Sequence, residues 1–317
     1  MTGYLVRRIL QSILVVWLVT VITFLLLKAL PGGPVRAILG TRASDLALVN
    51  ALTKQLGFDR PIWVQYWTWL DGLLHGNFGF SYQQNEPVST LLGQRLPKTL
   101  LLVGTSTLLA LVIAVPWGIV QAVRRNKLAD YVGTGFSFLF YATPIYLIGL
   151  ILINAFALGT HWFPTEGAQG SIGTFFTQFN SMVLPIVAIT LITLASFSRY
   201  MRSSTLDQIT QDYVRTARAK GVSEGRILYR HVLRNALIPI VTLVGLNLPI
   251  IISGALITEY LFNYPGMGLL FYNAAQTQDY PILLGVTAIT AFATVAGSLL
   301  ADVLYAVLDP RVRYTSS

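Results

Sequence analysis

Residues 100–123, LLLVGTSTLLALVIAVPWGIVQAV, are followed at once by Arg124-Arg125-Asn126-Lys127. The run holds no charged side chain, and at about 1.5 Å of rise per helical residue it is long enough to cross the ~30 Å hydrocarbon core of a bilayer. The basic cluster at its end belongs on the cytoplasmic side, where Lys and Arg accumulate. The same test finds candidate spans at 9–30, 131–157, 182–200, 237–258 and 281–308. The composition agrees: 317 residues, 54% hydrophobic and 11% charged, with a mean hydropathy of +0.63, lie far from the soluble average. The chain is expected to be an all-α integral membrane protein with six transmembrane helices.

Six spans place both termini on one side. Arg7-Arg8, Arg124-Arg125-Lys127, the basic region from Arg199 to Arg234, and Arg311 with Arg313 then share that side, while residues 161–181 and 259–280 hold no Lys or Arg. This side is expected to be the cytoplasm. Arg36, Arg42, Lys54, Arg60, Arg95 and Lys98 fall outside it, in a segment long enough to translocate regardless of charge. The first run has too long an apolar core, and no small-residue cleavage site, for a secretory signal, so it reads as an uncleaved span. In the outer segment, 43–56 has helical periodicity, and Trp63, Tyr66, Trp67, Trp69 and Leu70 form an aromatic cluster. That cluster suits either an external partner or a cap seated on the lipid headgroups.

The +9 formal charge is thus a matter of topology rather than of nucleic acid. The absence of cysteine removes disulfides, thiolate metal sites and thiol nucleophiles. His75, His161 and His231 lack metal-ligand spacing. No catalytic, cofactor-binding or metal site is expected in this chain. Charges within the spans are few: Lys28 near the outer end of the first, Glu259 closing the fifth, and Asp302 about two turns from the end of the sixth, within reach of Arg8. Such a pattern argues against an ion-coupled relay. No G-x-x-x-x-G-K-[ST] loop occurs either, so the chain binds no nucleotide of its own by that route. A transporter of this kind needs a separate motor. Pro116, Pro144, Pro185 and Pro249 are candidate helix bends around a path, with Pro239 and Pro281 at span entrances.

The long polar interruption at 206–239 is where a motor would attach. Thr210 as N-cap, Asp212 in the first turn and Gly221 as a left-handed stop predict a helix over 211–220. Tyr213 and Ala217 share one face, and Arg215 and Arg218 another. Ser223 is placed to cap a second helix along which Arg226, Arg230 and Arg234 recur. The segment suits a groove on a soluble protein, or anionic lipid as a basic hairpin.

Its residues carry a resemblance. Tyr213-Val214-Arg215-Thr216-Ala217-Arg218-Ala219-Lys220-Gly221 followed by His231-Val232-Leu233-Arg234-Asn235-Ala236-Leu237-Ile238-Pro239 is similar to the cytoplasmic signature of binding-protein-dependent ABC importer permeases, of the dipeptide/oligopeptide (and nickel) branch. Arg215 stands where the general signature has Glu, and Leu233-Arg234 where it has Leu-Pro. Further matches are Arg7-Arg8 with Thr23-Phe24 and Pro31-Gly32, Leu56-Gly57-Phe58-Asp59-Arg60-Pro61 with Gln65-Tyr66, and Arg95-Leu96-Pro97 with Thr99-Leu100. Near the end, Glu259-Tyr260-Leu261-Phe262-Asn263-Tyr264-Pro265-Gly266-Met267-Gly268, Asp279-Tyr280-Pro281 and the run from Asp302 to Arg311 match as well, with Ser298 where Asn is common.

The resemblance implies a type I ABC importer permease fold with cytoplasmic termini, in which 1–98 is the first span plus an outer segment and 99–317 a five-helix core. It implies that 211–220 is the coupling helix, with Asp212, Tyr213, Arg215, Thr216, Ala217, Arg218, Lys220 and Gly221 docking an ATPase. The turn Tyr264, Pro265, Gly266, Met267 and Gly268 would lie at the outer mouth of the path. The implied partners are a second, similar permease, two ATPase subunits or one fused ATPase that bind ATP and Mg, an external solute-binding protein, and lipid; nucleic acid is not among them. The implied cargo is di- or oligopeptide, with nickel, a glutathione-like compound or another chelate as alternatives. The implied location is a bacterial or archaeal plasma membrane. An ion-coupled secondary transporter and a membrane-embedded hydrolase are the readings from other classes.

Overall fold

The computed structural model describes residues 2–29 and 32–308. Pro31, Arg311, Arg313, the Asp309-Pro310 part of the last motif and the side chain of Asp302 lie outside the described residues. Five helical stretches are long and apolar enough to cross a membrane: Leu10–Lys28, Val88–Val123, Phe179–Ile209, Glu224–Ile252 and Tyr280–Leu300. The candidate at 131–157 is not one straight span, because Leu128–Ala142 and Ile145–Gly159 meet at 102°. Thr143, extended at φ −83° and ψ 125°, precedes Pro144. A residue before proline is pushed out of the α region, and proline has no N–H to continue the ladder. Counting this bent pair as one span gives six.

Two helices outrun their predicted apolar cores. Val88–Val123 begins twelve residues before Leu100, and Phe179–Ile209 runs nine residues past Tyr200. Hydropathy reads only the part that meets hydrocarbon, whereas the helix continues into its polar flanks. The fifth run ends earlier than predicted: Ile238–Ser253 stops at Gly254, whose φ is +94°, and a separate helix Leu256–Leu261 follows. Pro116, Pro185 and Pro249 lie inside helices that continue past them, whereas Pro144 stands at the sharp break.

The centre of the bundle is the pairing of Val88–Val123 with Phe179–Ile209. Ser106, Ala110, Ala114 and Gly118 recur four apart on the buried face of the first, and Leu194 and Phe197 of the second pack on the alanines. A Cβ on Gly118 would lie 2.7 Å from Met201 Cβ and 2.8 Å from the Ser198 carbonyl. Small residues allow the two backbones this approach, which is how helices associate where lipid supplies no hydrophobic drive. Ile238–Ser253 lies against the last helix, Tyr280–Leu308, and so does the first helix, Thr2–Lys28. Arg8 reaches Ser298 Oγ at 3.5 Å.

A largely buried charged pair escaped the sequence reading. Arg202 donates through Nε and Nη2 to the two oxygens of Asp130 at 2.6 and 2.9 Å, with the carboxylate side chain only 5% exposed. The Asn126 N–H also donates to the carboxylate, at 3.0 Å. The pair sits where the turn at 124–127 meets the far end of Phe179–Ile209, and it joins two spans.

The outer segment is helical at Leu46–Gln55, capped by Asp45 Oδ1 through the N–H groups of Ala47 and Leu48, and at Ile62–Leu74. Tyr66 is seated on the first span, edge-on to Phe24 at 5.5 Å and hydrogen-bonded to Thr20 at 3.0 Å. Trp63 and Trp67 remain exposed. A two-residue antiparallel pair, Phe80–Ser81 with Glu86–Pro87, joins this segment to the second span. Ser81 Oγ donates to Asp279 at the head of the last helix.

Candidate functional site

The polar helix comes first. Thr210 is not its N-cap: its hydroxyl donates to the Asp207 carbonyl at 3.0 Å and closes the preceding helix instead. Gln211 turns extended, and the helix runs Asp212–Ala219 with Asp212 in its first turn. Its stop has the form the sequence predicts. Gly221 has φ +75°, its N–H bonds to the Arg218 carbonyl at 2.9 Å, and the Val222 N–H bonds to the Ala217 carbonyl at 3.2 Å. These two bonds are the Schellman pair that satisfies the last carbonyls of a helix. Beyond it, Ser223 occupies the N-cap position of Glu224–Ile227 without a side-chain cap. A π-helical turn, Leu228–Val232, then leads towards the fifth span.

The helix is amphipathic in a sense that corrects the expected Tyr213/Ala217 docking face. Val214 and Ala217 are buried against Met201, Ile227, Val232, Ala236 and Ile240. Tyr213 is half-buried and donates its hydroxyl to Gln208 Oε1 at 2.8 Å. The apolar face therefore anchors the helix to its own bundle. Asp212, Arg215, Thr216, Arg218, Lys220 and Gly221 are exposed. Arg218 is held by two bonds to Glu224, at 2.6 and 3.0 Å, and this partner raises its already high pKa. Arg215 meets Asp212 at 3.4 Å with both side chains in solvent. What the helix offers outward is a short, charged face.

The second region is the run from Glu259 to Gly268. Asn263 takes a positive φ of 47° and the chain reverses, so that Met267–Gln276 starts beside Glu259. The Glu259 carboxylate is fully buried. It accepts from Thr99 Oγ1 at 2.8 Å and from the N–H groups of Gly268 and Leu269 at 2.7 and 3.0 Å, while Thr99 itself accepts the Met267 N–H at 2.8 Å. A buried acid thus serves the free N–H groups of a helix start, where negative charge is favoured. Burial pushes its pKa above the ordinary carboxylate range, against the opposing pull of these donors. Gly254, Gly266 and Gly268 enclose it, since a Cβ on any of them would overlap Glu259 or the facing backbone.

Tyr264 is 1% exposed, and its hydroxyl donates to the Lys98 carbonyl at 3.0 Å. Arg95 donates to the Pro265 carbonyl, Gln169 to that of Asn263, and the Gly167 N–H to that of Phe262. All five of Tyr264, Pro265, Gly266, Met267 and Gly268 are buried, and only Asn263 beside them is exposed. The irregular backbone is covered by protein, as a stretch excluded from lipid must be. Glu259, read in the sequence as the end of a span, is the centre of this turn. Its partner Thr99 lies 160 residues away, and only the matching motifs around both residues signal the link.

The chain matches two family models that between them cover nearly all of it: "binding-protein-dependent transport system inner membrane component" over residues 114–314, and the corresponding N-terminal model over residues 1–103. It belongs to this family, that of the permease subunits of binding-protein-dependent ABC importers, and is a multi-pass component of the bacterial inner membrane. Such subunits work with ATPase and substrate-binding components. Among its relatives, the oligopeptide transport system permease protein AppB of Bacillus subtilis is 40% identical over 317 residues, covering 99% of this chain and 100% of the relative. A putative peptide permease protein of Brucella ovis is 39% identical over 319 residues, and the glutathione transport system permease protein GsiC of Escherichia coli K12 is 33% identical over 314, each with 99% and 100% coverage.

Proposed function

We propose that this chain forms one half of the translocation unit of an ATP-driven peptide importer, paired with a second, similar permease. Its termini and the helix Asp212–Ala219 face the cytoplasm, in keeping with the basic residues on that side. The substrate class follows from the relatives, whose names specify oligopeptide, peptide and glutathione transport.

The observation that carries the mechanism is the division of labour on the short helix. Val214 and Ala217 fasten it to the bundle, and Asp212, Arg215, Thr216, Arg218 and Lys220 are left for a partner. An ATPase that grips a charged helix so fixed moves the spans to which it is anchored. ATP and Mg belong to that partner, and this chain contributes no catalytic group. The buried turn at Glu259 gives the opposite end of the bundle a fixed frame beside the mouth of the path.

Pairwise cysteine cross-linking tests the docking. Arg215→Cys should cross-link to an ATPase subunit carrying a cysteine in its groove, with a yield that changes on ATP addition. Cross-linking only to lipid-directed reagents would contradict it.

A further inference from the structure

Between the Lys28 end of the first span and the Tyr280 end of the last, the outer segment covers a cavity of about 340 Å³. Its apolar wall includes Phe24 and Leu284, which are 4% and 8% exposed. Two cations line it, Lys28 and Arg60, and no carboxylate does among the described residues. Lys28 Nζ donates to Gln65 Oε1 and lies 4.2 Å from the centre of the Phe58 ring. Gln65 Nε2 in turn donates to the carbonyls of Phe58 and Arg60 at 3.0 and 2.7 Å. The motif at 56–61 with Gln65 thus builds one wall. Two further lining groups, Trp69 Nε1 and the Tyr280 hydroxyl, are buried with no hydrogen-bond partner.

Buried donors are seldom left without acceptors, and two of them beside one cavity suit an occupant rich in acceptor oxygens. The cavity is lined by residues at the ends of two spans, and span ends are where aromatic and basic side chains meet lipid phosphates. A soluble anion would leave the apolar wall unused, and a hydrocarbon alone would leave the cations and the two donors unused. We propose that this cavity is a binding site for an anionic phospholipid. One acyl chain lies along Phe24 and Leu284, the phosphate is held by Lys28 and Arg60, and Trp69 and Tyr280 donate to the headgroup or ester oxygens. The lipid then fixes the outer segment to the bundle from the membrane side.

Native mass spectrometry of the assembled importer, exchanged into phosphatidylglycerol or phosphatidylcholine, tests this. The wild type should retain phosphatidylglycerol in preference. Lys28→Gln and Arg60→Gln should each weaken that retention about fivefold, the scale of one basic residue at an anionic lipid surface, while Lys28→Arg should keep it. Thr68→Trp, at an exposed lining position, should reduce retention by filling the space with no change of charge. Arg60 is exposed, so its variant reports on binding without threatening the fold. Equal retention of the two lipids, unchanged retention in Arg60→Gln, or displacement of the lipid by inorganic phosphate at millimolar concentration would overturn the proposal.

Discussion

Glu259 accepts hydrogen bonds from Thr99, Gly268 and Leu269 in a site closed to solvent. Each buried donor left unmade costs about 1–3 kcal/mol. Glu259→Ala should therefore destabilise the permease by at least about 3 kcal/mol in detergent unfolding, because three donors are orphaned together. Glu259→Gln keeps an acceptor for the two N–H groups and should cost less than half as much. The pH dependence has a defined sign. The folded state raises this carboxyl's pKa, so it binds the proton more tightly than the unfolded chain does. Its contribution is fully present below the ordinary carboxylate pKa and fades as pH rises from there through the raised value. The stability of wild type relative to Glu259→Gln should accordingly fall across that window, and a difference that rises with pH would contradict the assignment. Nothing in the local sequence distinguishes Glu259 from an acid that merely ends a span, since its donors come from another helix and from a turn beyond it.

At the scale of the element, the coupling candidate shows both what a sequence can specify locally and what it cannot. Gly221 was legible because a left-handed stop is a local requirement, and the helix ends there. Asp212 was legible as first-turn charge. Thr210 misleads because the same hydroxyl can open one helix or close another, and here the preceding helix runs on to Ile209. The inward turn of Ala217 depends on Met201 and Ile240, which pattern within the segment does not reveal. Gly221→Pro removes the N–H that reaches Arg218 and should uncouple ATP hydrolysis from uptake while the spans still insert, as measured by paired ATPase and transport assays. Val214→Asp would bury an unpaired charge at 0% exposure and should release the helix from the bundle, giving protease sensitivity near residue 214. Arg215→Glu should leave stability within about 0.5 kcal/mol, because its pair with Asp212 is solvent-exposed, yet weaken recovery of the ATPase subunit on co-purification.

For the whole molecule, the existence of five of the six spans follows from apolar length alone, although the fifth stops early at Gly254, and the polar extensions follow from helices that continue beyond the hydrocarbon. The third departs at Thr143-Pro144, where the 102° bend breaks one apolar run into two helices. Hydropathy has no term for direction, so this break was legible only as one proline among several. The family match extends over the same architecture, from the first helix to the last. On the reading proposed above, the subunit moves its cargo by being driven from one end, with the charged helix Asp212–Ala219 at that end and the buried, hydrogen-bonded turn at Glu259 at the other. The direct test is reconstitution of this chain in sealed proteoliposomes with its partner permease, ATPase subunits and binding protein. Peptide uptake should require ATP and every partner, and should persist when ion gradients are collapsed. Uptake by this chain alone on a proton gradient would contradict the account.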